Sequence, residues 1–310
     1  MPDYSITTNF RPEIQNTRKL PRRSAYVEYY QEDDYGVGQF IALPGLNVRF
    51  SVTINMGNTY PQAQIDVCNL RRETREFLVN YFNMADPRFT KRVVRLYAGY
   101  LRNEAGAETD TPFLFAGNVL FTTLTPPPDI WLCMQTLYDK GGWDAAQEWK
   151  INGLVPIKDV YRIAAERMGY AAKIEDAPAG DILNFTASGD GKALLRRLRA
   201  ISRKHAVYVA DGQLIVKLVN ANQPAPGEAV WECRADTGMI DIPKMNYRGA
   251  DVTMLLNPDI HPGDWINLQS IHQPSASGLY RVWQVKHYGE LRGDAFYSKL
   301  ETYRPANSAS

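Results

Sequence analysis

The chain has 310 residues, and its 35 Lys and Arg nearly balance its 34 Asp and Glu. The resulting formal net charge of +1 excludes a global field that would draw the whole chain to nucleic acid or anionic lipid. A chain of this length can bury roughly three quarters of the surface that its unfolded form exposes, so a stable core requires neither disulfides nor a metal.

Cysteine usage and the N-terminal residues predict a protein made in a reducing compartment. Cys68, Cys133 and Cys233 lie far apart and form no CxxC pair, so we expect reduced, buried thiols. The first residues lack the basic and apolar regions of a signal peptide. No run approaches the roughly 18 apolar residues of a membrane-spanning helix, so no membrane segment is expected.

The first part of the chain is predicted to be an arm followed by a β-rich unit. Residues 1–38 show little hydrophobic periodicity and are expected to form an N-terminal arm. Residues 39–140 are expected to form a β-rich unit, because apolar and polar residues alternate from Val48 to Ile54, and we interpret it as the first of two antiparallel β-barrel domains. Asn69 is the predicted N-cap of a helix. The apolar face of that helix carries Leu70, Phe77, Leu78, Tyr81 and Phe82.

Three further strands complete this first unit. We expect them at Val93–Ala98, Phe113–Phe121 and Ile130–Leu137, with a turn region over residues 103–111. Three prolines at 126–128 separate the second of these strands from the third.

The hydrophobic period changes from 2 to 3.6 over residues 141–220, which predicts a small α/β domain. Pro156 suits the first turn of a helix that Gly169 ends. A second helix is expected over residues 190–204. Asp211-Gly212 between two alternating apolar runs then predicts a tight hairpin.

Residues 221–305 are predicted to form a second antiparallel β-barrel domain, followed by a short tail over 306–310. Asn257-Pro258 and Pro262-Gly263-Asp264 are turn signals, because proline fixes φ and glycine tolerates positive φ. The whole chain is therefore expected to be a β-rich α+β protein, with two antiparallel β-barrel domains on either side of a small α/β domain.

The strands of the last unit follow the order of those in the first, which predicts a degenerate duplication of one barrel. The corresponding segments are Val93–Leu96 with Trp265–Leu268, Phe113–Leu124 with Gly278–His287, and Ile130–Tyr138 with Ala295–Tyr303.

The arrangement from Leu255 to Tyr303 resembles the C-terminal barrel of baseplate hub proteins of contractile phage tails, which are related to the hub half of type VI secretion spike proteins. The shared pattern is NP-x-I-x-PGD and then G-x-Y-R-V-x-x-V-x-H-x-G, with Glu290 where an Asp is expected. The middle segment L-x-x-I-S-x-x-H-A-V-Y-V-x-D-G-x-L resembles the same family. The resemblance covers most of residues 45–303.

This resemblance implies a structural virion protein rather than an enzyme. It implies a homotrimer that joins the tail tube protein above to the central spike protein below, adapting six-fold to three-fold symmetry around an axial channel. Other baseplate proteins are implied partners, the C-terminus of the tape-measure protein is a further candidate, and DNA is in contact only in transit. The implied location is the tail baseplate of the virion, after synthesis in the cytoplasm of the host bacterium.

No catalytic, cofactor-binding or metal site is predicted, because each candidate motif is incomplete. Ser188–Lys192 lacks the first glycine and the Ser/Thr of a phosphate-binding P-loop and fits a glycine-rich helix entry. No carboxylate pair or G-x-S-x-G elbow indicates a hydrolase. The histidines show no metal-ligand spacing, although His261 and His272 flank one hairpin and could approach each other in space. The four histidines are His205, His261, His272 and His287.

The second predicted helix is basic and has no acid from Gly191 to Ala210. Its basic residues are Lys192, Arg196, Arg197, Arg199, Arg203 and Lys204. Such a stripe fits a solvated face, a contact with acids of a neighbouring subunit, or binding to the DNA backbone. The alternative to a hub is a β-rich carbohydrate- or receptor-binding module of a phage tail. A tail-associated peptidoglycan hydrolase is disfavoured by the missing acid pair.

Overall fold

The computed structural model describes residues 22–32, 37–57, 60–79, 92–101, 110–137, 147–219 and 221–305. Its helices are α1 (Arg72–Leu78), α2 (Ile157–Arg167) and α3 (Gly191–Arg199). Its strands are β1 (Arg23–Glu32), β2 (Gly38–Leu43), β3 (Val48–Asn55), β4 (Gln62–Cys68), β5 (Val93–Tyr100), β6 (Phe113–Leu124), β7 (Trp131–Leu137), β8 (Gln147–Pro156), β9 (Ala171–Ile174), β10 (Asp181–Gly189), β11 (His205–Ala210), β12 (Gln213–Leu218), β13 (Val230–Cys233), β14 (Lys244–Met245), β15 (Ala250–Leu255), β16 (Trp265–Leu268), β17 (Gly278–Glu290) and β18 (Phe296–Tyr303).

One mostly antiparallel sheet of 13 strands dominates the structure. Its main path is β14-β15-β18-β17-β3-β4-β7-β6-β5-β1-β2, and β16 joins it at β17 while β13 pairs with β16. Alternating burial along its strands places one face on a hydrophobic core, as in Val48, Phe50, Val52 and Ile54 of β3. The prediction of a β-rich α+β protein is confirmed.

The same sequence of strand pairings occurs twice within this sheet. The first unit has the order β3-β4-β7-β6-β5-β1, and the last unit has β14-β15-β18-β17-β16-β13. All of these neighbours are antiparallel except β13 and β16, which are parallel, whereas β1 and β5 are antiparallel. The division into two barrel domains stays a prediction, and this repeated order supports it.

The two units also share a β-bulge at the same step of the ladder. In the first, Val119 pairs with Thr136 and Phe121 with Gln135, so Leu120 is the extra residue. In the last unit Val282 pairs with Thr302 and Gln284 with Glu301, which leaves Trp283 as the extra residue. A bulge bends its strand locally and raises its twist.

A direct strand pairing joins the two units. The first residues of β17 pair with β16, and residues 284–290 of the same strand pair with β3. The sheet is therefore continuous from the last unit into the first.

The middle unit lies outside this sheet. It consists of the β8–β10 ribbon, the small sheet β11-β12-β9 and the helices α2 and α3. Asp211 and Gly212 both have positive φ, 49° and 75°, which gives the tight hairpin that the Asp-Gly signal predicts. Tyr161 of α2 donates to the Leu198 carbonyl of α3 at 3.3 Å, so the two helices pack together.

Two local predictions are wrong. The expected arm contains β1, which pairs with β2 and β5 and buries Tyr26, Val27 and Tyr29, because its aromatic and aliphatic residues complete the core face of the sheet. Asn69 is not an N-cap, because α1 begins after Arg71. The Asn69 side chain instead accepts from the backbone N–H of Ile130 at 3.1 Å.

Element boundaries also differ from expectation. The second predicted helix is shorter, because α3 ends at Arg199. The prediction does not include β2, β8, β10, β13, β14 or β15 as strands. Residues 1–21, Tyr81, Phe82, the turn residues 103–109 and the tail at 306–310 lie outside the described residues.

Candidate functional site: a polar junction and the sheet edges

The Pro-Gly-Asp turn before β16 is built around the Asp264 carboxylate. Its Oδ2 accepts from the backbone N–H of His261 at 2.9 Å and from the indole Nε1 of Trp231 at 3.2 Å. Gly263 has a φ of 85°, and a Cβ there would lie 3.2 Å from the Lys217 side chain. The positive φ therefore favours glycine, and a Cβ there would also crowd the Lys217 side chain.

Lys217 of β12 ties the middle unit to this turn. Its Nζ lies 2.9 Å from Asp264 Oδ1 and 3.4 Å from Glu175 Oε2, in a largely buried position. Burial alone would lower the pKa of Lys217, but the charges of Asp264 and Glu175 outweigh it and raise that pKa. Burial would raise the pKa of Asp264, and the charges of Lys217 and His261 lower it.

His261 forms a second link to the middle unit. Its Nε2 lies 2.6 Å from Asp211 Oδ2, and its Nδ1 lies 2.8 Å from the carbonyl oxygen of Asp259. Both partners can only accept, so both ring nitrogens donate and the imidazole is the charged form. Burial opposes this charge, but the Asp211 carboxylate prevails and raises the pKa of His261 to about 9. Beside it, Tyr208 donates to the Pro262 carbonyl at 2.6 Å.

Arg281 of β17 supports the turn from the sheet side and is 1% exposed. Its Nη1 donates to the Gly263 carbonyl at 2.7 Å, and its guanidinium carbon lies 4.3 Å from the centre of the Trp265 ring. Glu228 contacts Arg281 Nη2 at 3.4 Å and accepts from Trp265 Nε1 at 3.0 Å. A planar, charged group stacked on an indole is a favourable arrangement for a buried arginine.

These contacts make a junction of paired charges. A cavity of about 250 Å³ lies beside it, lined by Lys173, Glu175, Tyr208, Asp211 and His261 among others. The carboxylates of Glu175 and Asp211 already bind Lys217 and His261, so the polar groups satisfy one another. Within the described ranges, no three His, Cys, Asp or Glu side chains are grouped as metal ligands.

The other histidines lie apart from the junction. His287 is fully buried in β17, where its Nδ1 lies 2.8 Å from Ser298 Oγ and burial lowers its pKa to about 3. His205 lies 2.8 Å from Ser202 Oγ and 3.3 Å from Asp176. His272 is exposed on the loop before β17. Thus only His261, of the two that flank the hairpin, belongs to the charged cluster.

The Ser188–Lys192 segment is a helix entry, as expected from its incomplete P-loop pattern. Asp190 is the N-cap of α3, and its Oδ1 accepts from the backbone N–H of Ala193 at 2.8 Å. The basic residues Arg196 and Arg197 of this helix, with Arg203 and Lys204 after it, are exposed.

Both ends of the main sheet carry apolar side chains. At one end, β2 (Gly38–Leu43) contains no charged residue. At the other end, Met245 of β14 is 44% exposed, and nearby Ile242 and Tyr247 are 54% and 88% exposed. Leu124 at the end of β6 is 50% exposed. An uncharged edge such as β2 is a site where a further strand can add, and β14 presents Met245 beside the charged Lys244.

Sequence reasoning missed Lys217, Glu228 and Arg281. Lys217 and Arg281 are single charged residues within otherwise apolar stretches of β12 and β17, so the sequence alone does not show which partners they have. One feature of the sequence could have indicated a buried charge, namely the position of Arg281 among the aromatic and aliphatic residues of its strand.

The family profile described as Baseplate hub gp41 matches residues 34–302. A search of curated proteins gives no significant match. No helix among the described residues is long and apolar enough to cross a bilayer.

Three solved structures share the fold at low sequence identity. The 43 kDa tail protein of prophage MuSo2 from Shewanella oneidensis has a TM-score of 0.60 at 8% identity, covering 91% of this chain and 99% of that one. A tail protein from Neisseria meningitidis MC58 has a TM-score of 0.55 at 10% identity, covering 91% and 98%. The E. coli c3393 protein, a component of the type VI secretion system, has a TM-score of 0.51 at 8% identity, covering 95% and 76%.

Proposed function

This chain belongs to the Baseplate hub gp41 family, and from that premise we propose that three copies close into a ring that joins the tail tube to the central spike. The ring would surround an axial channel through which the genome passes. The role that we propose is structural, and the ring would be assembled in the virion from chains made in the host cytoplasm.

The observation that carries this proposal is the repeat of one strand order and one bulge within a single chain. A chain with two similar units offers six similar units in a trimer. Such a trimer can face a six-fold tube on one side and a three-fold spike on the other. A monomeric binding module would have no need for this internal symmetry.

The polar junction supports the same proposal in a different way. Lys217 and His261 fix the middle unit against the last unit through charge-assisted contacts, and Arg281 supports the turn of the last unit that receives them. A joint that transmits force between tube and spike requires a subunit whose units are held firmly together. Further partners would be other baseplate proteins and the end of the tape-measure protein.

The mass of the purified protein in solution tests the ring, measured by light scattering alone and with tube and spike proteins. We expect a trimer, either alone or on addition of a partner. A protein that stays a monomer with both partners and binds glycans would overturn the proposal in favour of a carbohydrate-binding module.

A further inference from the structure

The pairing of β3 with β17 is an internal joint between the two similar units. In it Val52 lies opposite His287, and Ser51 lies opposite Tyr288. Val52 and His287 are both 0% exposed. The joint thus covers an edge strand of the first unit with the second half of a long strand of the last unit.

The shared bulge fixes which residues of the two units correspond. Phe121 pairs with Gln135 one step after the first bulge, and Gln284 pairs with Glu301 one step after the second. Counting three residues onward along β6 and β17 makes Leu124 the counterpart of His287. This correspondence comes from hydrogen-bonded pairs and not from residue similarity.

The same count assigns the other side of the joint. In the first unit, Gln135 of β7 pairs with Gln64 of β4, which pairs with Ser51 of β3. In the last unit, Glu301 of β18 pairs with Asp251 of β15, which pairs with Lys244 of β14. Lys244 is therefore the counterpart of Ser51, and the next residue, Met245, is the counterpart of Val52.

The counterparts of the two buried residues are both apolar and both exposed. Leu124 is 50% exposed and Met245 is 44% exposed, although Met245 Sδ contacts the Tyr280 hydroxyl at 3.9 Å. Ile242 and Tyr247 enlarge the exposed apolar surface around β14. Within one chain β14 cannot pair with the end of β6 in the way that β3 pairs with β17. The reason is that β14 lies at the end of the sheet path, on the far side of β17 from β6.

We infer that the internal joint is repeated between copies, with β14 of one copy adding to residues 123–125 of the next and Met245 lying opposite Leu124. The occupant of each exposed edge is a second copy of this chain. This inference rests on the proposed ring and names its contact surface. Such a contact joins two different surfaces, so it is heterologous and produces a closed ring when the rotation closes.

A disulfide between copies tests this register. Leu124→Cys/Met245→Cys should form covalent dimers and trimers under mild oxidation, because directly opposed Cβ atoms in an antiparallel pair come within disulfide range. Leu124→Cys alone and Met245→Cys alone control for the native cysteines. Mixing the two single variants should give covalent dimers only. Leu124→Cys/Lys244→Cys should cross-link at least ten-fold less, because Lys244 points to the other face.

A second pair of variants avoids dependence on disulfide chemistry. Leu124→Glu and Met245→Lys change exposed residues, so each chain should fold, but each should weaken assembly at least ten-fold. The two variants mixed should assemble better than either alone. A trimer by mass that forms no Leu124–Met245 disulfide and ignores both charge variants would overturn this contact while leaving the ring intact. A strict monomer would overturn both.

Discussion

Thr136 and Thr302 make the same hydrogen bond in the two halves of the main sheet. Thr136 Oγ1 donates to the Ala63 carbonyl at 2.7 Å, and Thr302 Oγ1 donates to the Ala250 carbonyl at 2.7 Å. Each threonine pairs with the residue just before the bulge, Val119 in one unit and Val282 in the other. Residue type, partner type and ladder position all agree, which supports the duplication of a single unit.

We predict that Thr136→Val and Thr302→Val destabilise the protein by similar amounts, about 1 kcal/mol each, because each loses one buried hydrogen bond. Thr302→Val should cost somewhat more, since Thr302 Oγ1 also accepts from the Ala250 N–H at 3.3 Å. Urea unfolding of both variants measures this difference. Thr253→Val, at a partly exposed position on β15, is the control. A cost below 0.3 kcal/mol for either buried variant would contradict a structural role for the shared bond.

Removal of Lys217 should be far more damaging than removal of an exposed lysine. Lys217→Met leaves the largely buried Asp264 carboxylate without its cation, which we expect to cost about 3 kcal/mol, whereas the exposed Glu175 can turn to solvent. Lys286→Met, at an exposed position of β17, should change the free energy of unfolding by less than about 0.5 kcal/mol. Chemical denaturation of the two variants provides the comparison, and equal effects would show that the cluster does not hold the units together.

The pairing of His261 with Asp211 should make stability fall at alkaline pH. The pKa of His261 rises from 6.5 to about 9 on folding, so the folded protein holds a proton that the unfolded chain has lost. This contribution is complete below pH 6.5 and is lost as the pH rises through 9, at about 1 kcal/mol per pH unit between the two values. His261→Gln should be less stable at pH 6 and should lack this slope. Thermal unfolding at a series of pH values measures the slope of stability against pH. An unchanged slope in the variant would show that the His261–Asp211 pair is not its cause.

The fold was largely predictable where turn signals and alternation agree. The sequence pattern predicts β16 residue for residue, and the Asp211-Gly212 hairpin follows from one dipeptide. The ribbon of β8 and β10 was not predicted, because its register shifts between Leu183 and Phe185 and the apolar alternation breaks there. A bulge interrupts the period on which strand prediction depends.

The junction was less predictable than the strands. Its charged residues come from segments that are distant in the sequence: Lys217, Glu228, Asp264 and Arg281. Each of them alone looks like an ordinary surface charge, and only the tertiary structure shows that they pair with one another around the buried Lys217 and Arg281 side chains. The Pro-Gly-Asp pattern gave the turn, while the partners of its carboxylate depend on how the middle unit docks.

His287 should limit stability on the acid side. Burial lowers its pKa from 6.5 to about 3. Between pH 3 and pH 6.5 the histidine is therefore protonated in the unfolded chain and neutral in the folded protein. Stability from this residue is present above pH 6.5 and is lost as the pH falls toward 3, at about 1 kcal/mol per pH unit. The variant His287→Leu introduces the residue found at the corresponding position 124. We predict that its free energy of unfolding decreases less steeply with falling pH than that of the parent protein.

The comparison of slopes is needed because Asp264, whose pKa is lowered by Lys217 and His261, also loses its stabilising charge in acid. That loss is common to the parent and to His287→Leu, so it cancels in the difference between them. At pH 7 the variant leaves Ser298 with its bond from the Asn257 N–H at 2.9 Å but without the imidazole. The variant should therefore be less stable than the parent at neutral pH and should approach or exceed it near pH 4. Parallel curves over this range would show that His287 takes up its proton without unfolding.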